Sequence, residues 1–363
     1  MLPYWGLLIV LALVSILPRK ANLVPDDGRM ALRPLKTDVP LVSAALVILL
    51  MVGLRYNVGG DWRIYFAQYR MISNSSLDVV GRLNTETGYT LLNWLAGKLG
   101  FGFWFVNLVC AIPFVWGLIL LARQQPNPWL ALVVATPVLI ILVGMGYTRQ
   151  SVGVGCMLIG LTGLMNGKGF LWFVAWVLVG ALCHKSALLF IPLVALFIFE
   201  WRFSTTLLLL ATGLIGYFVV LPETLDRYAA GYINTVYEAK GVVYRVIPNA
   251  VAGAILLLFR KQFTGLRIEL RIWRGFAFLS LLAVVALLYV RSTVIIDRLS
   301  LYVLPMQIVV LSTLPAAFGR KQQESLAVTG LVITYSAVQL FIWLNYANHS
   351  RFWVPYRFYP LSS

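Results

Sequence analysis

The sequence predicts an all-α membrane protein: a single polytopic bundle of about twelve transmembrane helices, with an external loop that carries amphipathic helices. Three observations lead there. Of 363 residues, 60% are hydrophobic and only 12% charged, against about 25% charged in ordinary soluble domains. Mean hydropathy is +0.85. The apolar residues gather in runs of roughly 15–20, the length a helix needs to cross a hydrocarbon core about 30 Å thick. Strand-like alternation, which would build a β-barrel, is absent.

In order, the predicted spans are 2–18, 38–54, 101–121, 128–146, 150–166, 169–183, 186–200, 203–221, 243–259, 275–290, 299–317 and 325–344. The first is followed, not preceded, by its basic pair Arg19–Lys20, the wrong order for a signal peptide. It reads as a retained helix whose start lies outside. Residues 55–100 form a long external loop, in which 89–100 is too short and too polar to span and reads as a half-helix or interface helix. The spans at 150–166, 169–183 and 186–200 are short, so their turns can sit below the membrane surface. Residues 222–242 form a second external loop, and the basic segment 260–274 meets anionic headgroups on the cytoplasmic side. The 29 lysines and arginines divide almost evenly between the two sides. Orientation therefore rests on the Arg–Lys doublets at 19–20, 260–261 and 320–321, which share one side. Chain 1–363 is thus one transmembrane domain.

A net charge of +16 in a soluble chain would suggest nucleic acid. Here no basic, aromatic-interleaved soluble domain exists to bind it. Anionic membrane lipid, or a phosphate-bearing lipid substrate, is the fitting partner. Cys110, Cys156 and Cys183 lie within or at the end of apolar runs, at spacings that suit neither a metal nor a disulfide framework. Gly153, Gly155, Gly160 and Gly163 fall in one span and suit close helix packing.

Charge that survives on the external side needs a reason, and five polar islands hold it. In "RYNVGGDWRIY", residues 55–65, Asp61 and Tyr65 share a helix face, Gly59–Gly60 permits a sharp turn, and Arg55 stands at the membrane mouth. Asp61 suits a base toward a sugar hydroxyl, or a salt bridge to Arg55 or Arg63. Trp62 and Phe66 would bury along the membrane surface while Asp61 and Tyr65 face inward. Glu86 in "TETGYTLLNWL" is either a first-turn acid complementing a helix dipole or a member of the same site. Arg149 in "GYTRQSVGVG" sits between two apolar runs, where its planar fork suits two phosphate oxygens. His184 and Lys185 in "CHKSALLF" mark a tight turn between spans, where a lone histidine is either a hydrogen-bonding residue or functional. In "RSTVIIDRLSLY", Arg291, Asp297, Arg298 and Tyr302 lead into the next span.

This ordered set, closing on the tail "WVPYRF", resembles the EpsG family of Wzy-like exopolysaccharide polymerases from residue 55 to about 357. The resemblance implies a multi-pass protein of the bacterial inner membrane, related to integral-membrane glycosyltransferases of the GT-C type, with its active site facing the periplasm. It implies donor and acceptor oligosaccharides linked to polyprenyl diphosphate, and a polysaccharide co-polymerase as a chain-length regulator. In such a reaction an acceptor hydroxyl attacks the donor's anomeric carbon and a lipid diphosphate leaves. Asp61, Glu86 or His184 would take the proton. Arg149 and Arg298, with Arg55 or Lys185, would hold the diphosphate. No Asp-x-Asp motif is present, so the expected mechanism uses no metal and no cofactor, and inverts the sugar. A lipid-linked oligosaccharide flippase or a glycan ligase is the competing reading; transporters, however, place ionisable groups near the midplane.

Overall fold

The computed structural model describes residues 1–17, 39–77, 86–199, 206–207, 210, 241–263, 270–289, 293–319 and 325–362, and the backbone of 23–26 and 29–32. All but three residues of the predicted span 203–221, nearly all of loop 222–242 and Arg291 lie outside the described residues.

The helices in order are α1 (Leu2–Ser15), α2 (Val39–Gly53), α3 (Trp62–Ser73), α4 (Thr87–Lys98), α5 (Phe103–Ala122), α6 (Pro128–Ala135), α7 (Thr148–Met165), α8 (Phe170–Ala181), α9 (Phe190–Ile198), α10 (Val243–Leu258), α11 (Leu270–Tyr289), α12 (Val294–Ala317) and α13 (Leu326–Tyr346). Each of the other eleven predicted spans is helical, with ends shifted by a few residues. Among the described residues, four helices are long and apolar enough to cross a membrane, and six more apolar helices are shorter. A two-stranded antiparallel ladder, Leu23–Asp26 against Arg29–Leu32, joins α1 to α2. Hydropathy did not foretell it, because its strands have no alternating face.

The bundle is built around α6 and α7. Asn127 caps α6 by accepting from the Leu130 amide, and Pro128 occupies the first turn, where a missing N–H costs nothing. After Ala135 the backbone widens into a π-helix, Thr136–Gly144. Pro137 gives the reason: it has no N–H to continue the α pattern. Trp353, arriving from the C-terminal segment, donates its indole N–H to the Ile141 carbonyl at 2.9 Å. Nearly every side chain from Pro128 to Gly144 is buried. Helix α7 packs on α5 and α8 through its glycines. A methyl group on Gly155 would stand 2.4 Å from the Pro113 carbonyl, and one on Gly160 would meet Phe173 at 3.0 Å.

The last segment is laced across the same end of the bundle. Phe352 accepts from the Gly59 amide, the Arg357 carbonyl from the Tyr56 amide, and Tyr359 donates its amide to Leu54, at 2.7–2.9 Å. Tyr4 in α1 donates its hydroxyl to the Trp353 carbonyl at 2.6 Å, and Tyr356 donates to the Met51 carbonyl at 2.9 Å. Residues 352–359 thus hold the exit of α2, and with it the start of α3, in place.

A candidate site where the central helix breaks

Between the π-helix and α7 the chain leaves helical geometry at Tyr147 (φ −123°, ψ 66°). Around this break the polar islands meet. Gly59, at φ +110°, passes so close to Met145 that a Cβ there would lie 2.2 Å from its carbonyl oxygen. Only glycine satisfies both demands. This passage, with Asn57 also at positive φ, turns the chain after α2 and brings Asp61 over the break.

Asp61 stands at the N-cap position of α3, but its carboxylate makes no capping bond. It accepts from the Tyr65 hydroxyl at 3.3 Å. Among the described residues it forms no ion pair with Arg55 or Arg63. Burial raises the pKa of its carboxyl, and the Tyr65 hydrogen bond and the charges of Arg149, Arg298 and His349 oppose the shift without cancelling it. Trp62 and Tyr65 are buried, and Trp62 stacks on half-buried Phe66 with centroids 5.0 Å apart. Trp62 is packed inside the protein against Tyr56 and Phe103 rather than along a membrane surface, because those rings close over it.

Glu86 is buried at the start of α4 and makes no capping bond there. It pairs instead with Arg149, and its other oxygen lies 3.5 Å from His184 Nδ1. The dipole-complementing role open to it in the sequence is not the one it takes. Burial works to raise its pKa, but the neighbouring His184 and the Arg149 charge outweigh that and hold it at about 2. The Gly88 amide donates to the Leu182 carbonyl at 2.8 Å, which docks the start of α4 against the turn that carries His184. Neither ring nitrogen of His184 has a hydrogen-bond partner of good geometry; the 3.5 Å approach to Glu86 becomes an ion pair only when the ring is protonated. Burial depresses the pKa of His184, which keeps its ring neutral at pH 7, although Glu86 pulls the other way. Lys185 opens the 3₁₀ turn Lys185–Leu189.

Arg149 lies over the faces of Tyr65 and Tyr89, with its guanidinium carbon 5.3 and 5.9 Å from the ring centroids. One Nη is given to Glu86, while Nε is buried without a partner. Arg298 differs. Its side chain is exposed, with no ion pair or hydrogen bond to it among the described residues, and its charge is felt at Asp61 and His184. Its backbone is fixed, since Gln150 in α7 donates to the Arg298 carbonyl at 2.9 Å. Asp297, next to it, is committed to Arg245 in α10. Tyr302 is fully buried, stacks on Phe190 and shares a 3.2 Å hydrogen bond with Ser186; a side chain on Gly153 would collide with its hydroxyl.

Arg55 is not brought into this group. It is 2% exposed and turned into the bundle, where Nε donates to the Val58 carbonyl at 3.2 Å. Nη1 donates to the Val52 carbonyl, and Nη2 to Asn107 Oδ1 at 3.2 Å and Thr148 Oγ1 at 2.6 Å. It ties α2, α5 and α7 together directly beneath the break. Four neighbours of the site were missed in the sequence: Arg245, Tyr89, Tyr147 and His349. Arg245, a cation inside the apolar run "VVYRVIPNA", carried the same signal that singled out Arg149. Tyr147 feels the charges of Arg245, Asp297, Asp61 and Arg298 together.

The site therefore offers one carboxylate with raised proton affinity, one exposed arginine, and an Arg149–Glu86–His184 group held by aromatic rings. No curated protein and no solved structure matches the chain. The family model of the EpsG family matches residues 39–358, a range that begins at α2, takes in every element of the site and ends in the laced C-terminal segment; the chain belongs to the EpsG family.

Proposed function

We propose that the chain is a membrane polymerase that joins polyprenyl-diphosphate-linked oligosaccharides on the periplasmic face of a bacterial inner membrane. The observation that carries this reading is the contrast between two carboxylates at one helix break: Asp61 has raised proton affinity and, among the described residues, no ion-pair partner, while Glu86 is neutralised by Arg149. A general base needs proton affinity matched to its working pH. Asp61 therefore accepts the proton of the acceptor hydroxyl as that oxygen bonds to the donor's anomeric carbon. The bond from that carbon to the diphosphate oxygen breaks, and the lipid diphosphate leaves with the electron pair. Single displacement inverts the sugar. Arg298, with Arg149 beside it, receives the charge that develops on the leaving group, and no metal is required for that task. Glu86 and His184 position Arg149. The chain crosses the bilayer twelve times with its N-terminus outside, and membrane-associated chain-length regulators are its expected partners.

The test uses purified full-length protein in nanodiscs with a synthetic polyprenyl-diphosphate oligosaccharide. Products longer than one repeat are expected, with release of the lipid diphosphate. A chain that moves the substrate across the bilayer and lengthens nothing is a transporter, and the reading fails. Orientation is checked in intact cells by impermeant thiol labelling of Ser75→Cys, which should react, and Gln262→Cys, which should not.

A further inference from the structure

A second feature opens beside the site. Between the π-helix, the start of α10 and the outer half of α13 lies a cleft of about 330 Å³. Its walls are apolar over most of their length, formed by side chains such as Val138, Leu142, Val338 and Ile342. Tyr335 and Gln339 line it near the middle of α13 and are tied together, as Gln339 Nε2 donates to the Tyr335 hydroxyl at 2.8 Å. One end is flanked by Arg245 and His349. From Tyr335 to Tyr346 it follows α13 for eleven residues, about 16 Å at 1.5 Å per residue. That is roughly half of a 30 Å hydrocarbon core.

The polar end is continuous with the site. Arg245, which borders the cleft, is paired with Asp297, and Asp297 adjoins Arg298 in sequence. His349, which also borders it, acts electrostatically on Asp61. Near one end of the cleft stands the Arg245–Asp297 pair, next in sequence to exposed Arg298; most of the remaining lining is apolar. A lipid-linked phosphate matches both parts, its hydrocarbon lying along the apolar wall and its charged head beside Arg245 and Arg298.

We propose that this cleft holds the isoprenoid tail of a polyprenyl-diphosphate-linked substrate, with Arg245 steering its phosphates toward Arg298. This rests on the lipid-linked-substrate reading above and adds to it a tail site and a phosphate-guiding residue. The apolar wall supplies affinity by area removed from competing lipid contacts and by shape. Arg245 keeps Nε on Asp297, which fixes the plane of its guanidinium.

The test reads binding and needs no polymerisation. The introduced thiol of Ile342→Cys, in a Cys183→Ser background, is alkylated by a maleimide with and without saturating polyprenyl diphosphate in nanodiscs of zwitterionic lipid. Protection of about tenfold in rate is expected, and none from phosphatidylglycerol at the same mole fraction. Radiolabelled polyprenyl diphosphate should bind Val338→Trp and Ile342→Trp about tenfold more weakly than wild type. Phe341→Trp, on the same helix but outside the cleft, should bind it normally. If wild type binds the probe but the thiol is not protected and the tryptophan variants bind equally well, the cleft is not the tail site, while the polymerase reading stands. Equal protection by phosphatidylglycerol makes it a site for ordinary lipid and overturns the proposal. If wild type binds no polyprenyl diphosphate and makes no polymer, the lipid-linked reading itself falls, and the cleft proposal with it.

Discussion

Glu86 and Arg149, 63 residues apart in sequence, meet as an ion pair beneath the rings of Tyr65 and Tyr89. This contact ranks the carboxylates. A carboxylate held at about 2 is ionised at every working pH, but it is a poor proton acceptor.

The pH dependence of turnover follows. As the proposed base, Asp61 must be ionised to act, and its proton affinity is raised. As pH falls through that raised value it is protonated, and kcat/KM should fall about tenfold per pH unit. Glu86 stays ionised until about pH 2, so it contributes nothing to this acid limb. The stability that Glu86 gives through its depressed pKa is full above the ordinary glutamate range and is lost only as pH falls toward 2. A profile of kcat/KM against pH in wild type and Glu86→Gln should show the limb in both. A limb that vanishes in Glu86→Gln alone would give the base role to Glu86.

Asp61→Asn is nearly isosteric and keeps the Tyr65 hydroxyl paired. Turnover should drop by about 10²–10⁴-fold, with binding of the lipid-linked donor unchanged. Purified protein and a defined donor separate the two effects. Wild-type turnover in this variant removes Asp61 from the chemistry and leaves His184.

The two arginines should respond differently to lysine. Arg298 is exposed and without an ion-pair partner among the described residues, so Arg298→Lys should leave the amount of inserted protein unchanged and raise KM for the donor. Arg149→Lys also loses the flat stacking over two tyrosines, so it should lower both polymer yield and thermal stability. Polymer length on gels, with fluorescence-detected size exclusion for the folded fraction, distinguishes them.

Arg55→Ala should act on folding. It leaves Asn107 Oδ1, Thr148 Oγ1 and two carbonyls short of a buried donor, each at a cost of about 1–3 kcal/mol. The yield of folded protein should fall steeply, while turnover per folded molecule stays near wild type. A normal yield with lost turnover would place Arg55 in the site after all.

Much of this was readable in the chain. Apolar length marked the spans, because the bilayer imposes it. Charges that interrupt the apolar pattern singled out Asp61, Glu86, Arg149, His184 and Arg298, which the fold gathers at one break. What hydropathy could not show was direction. Arg55 looks external next to "YNVGG", but Asn57 and Gly59 at positive φ reverse the chain and let the guanidinium enter the bundle. Nor does hydropathy distinguish α- from π-helix in "TPVLIILVG", because its residues are apolar on every side and all but Val138 are buried. Arg245 was legible by the rule applied to Arg149 and was overlooked because its run otherwise reads as an ordinary span.

The bond from Tyr4 to Trp353 joins residues 349 positions apart. At a synthesis rate of about 5–20 residues per second, the first helix waits roughly 20–70 s in the bilayer before its partner leaves the ribosome. Trp353 also satisfies the Ile141 carbonyl, and Phe352 holds Gly59. The polypeptide can therefore be fully inserted yet still lack an ordered reaction centre. Ordering of the centre waits for residues 352–359, and a nascent chain stalled shortly before residue 350 should be a substrate for membrane proteases.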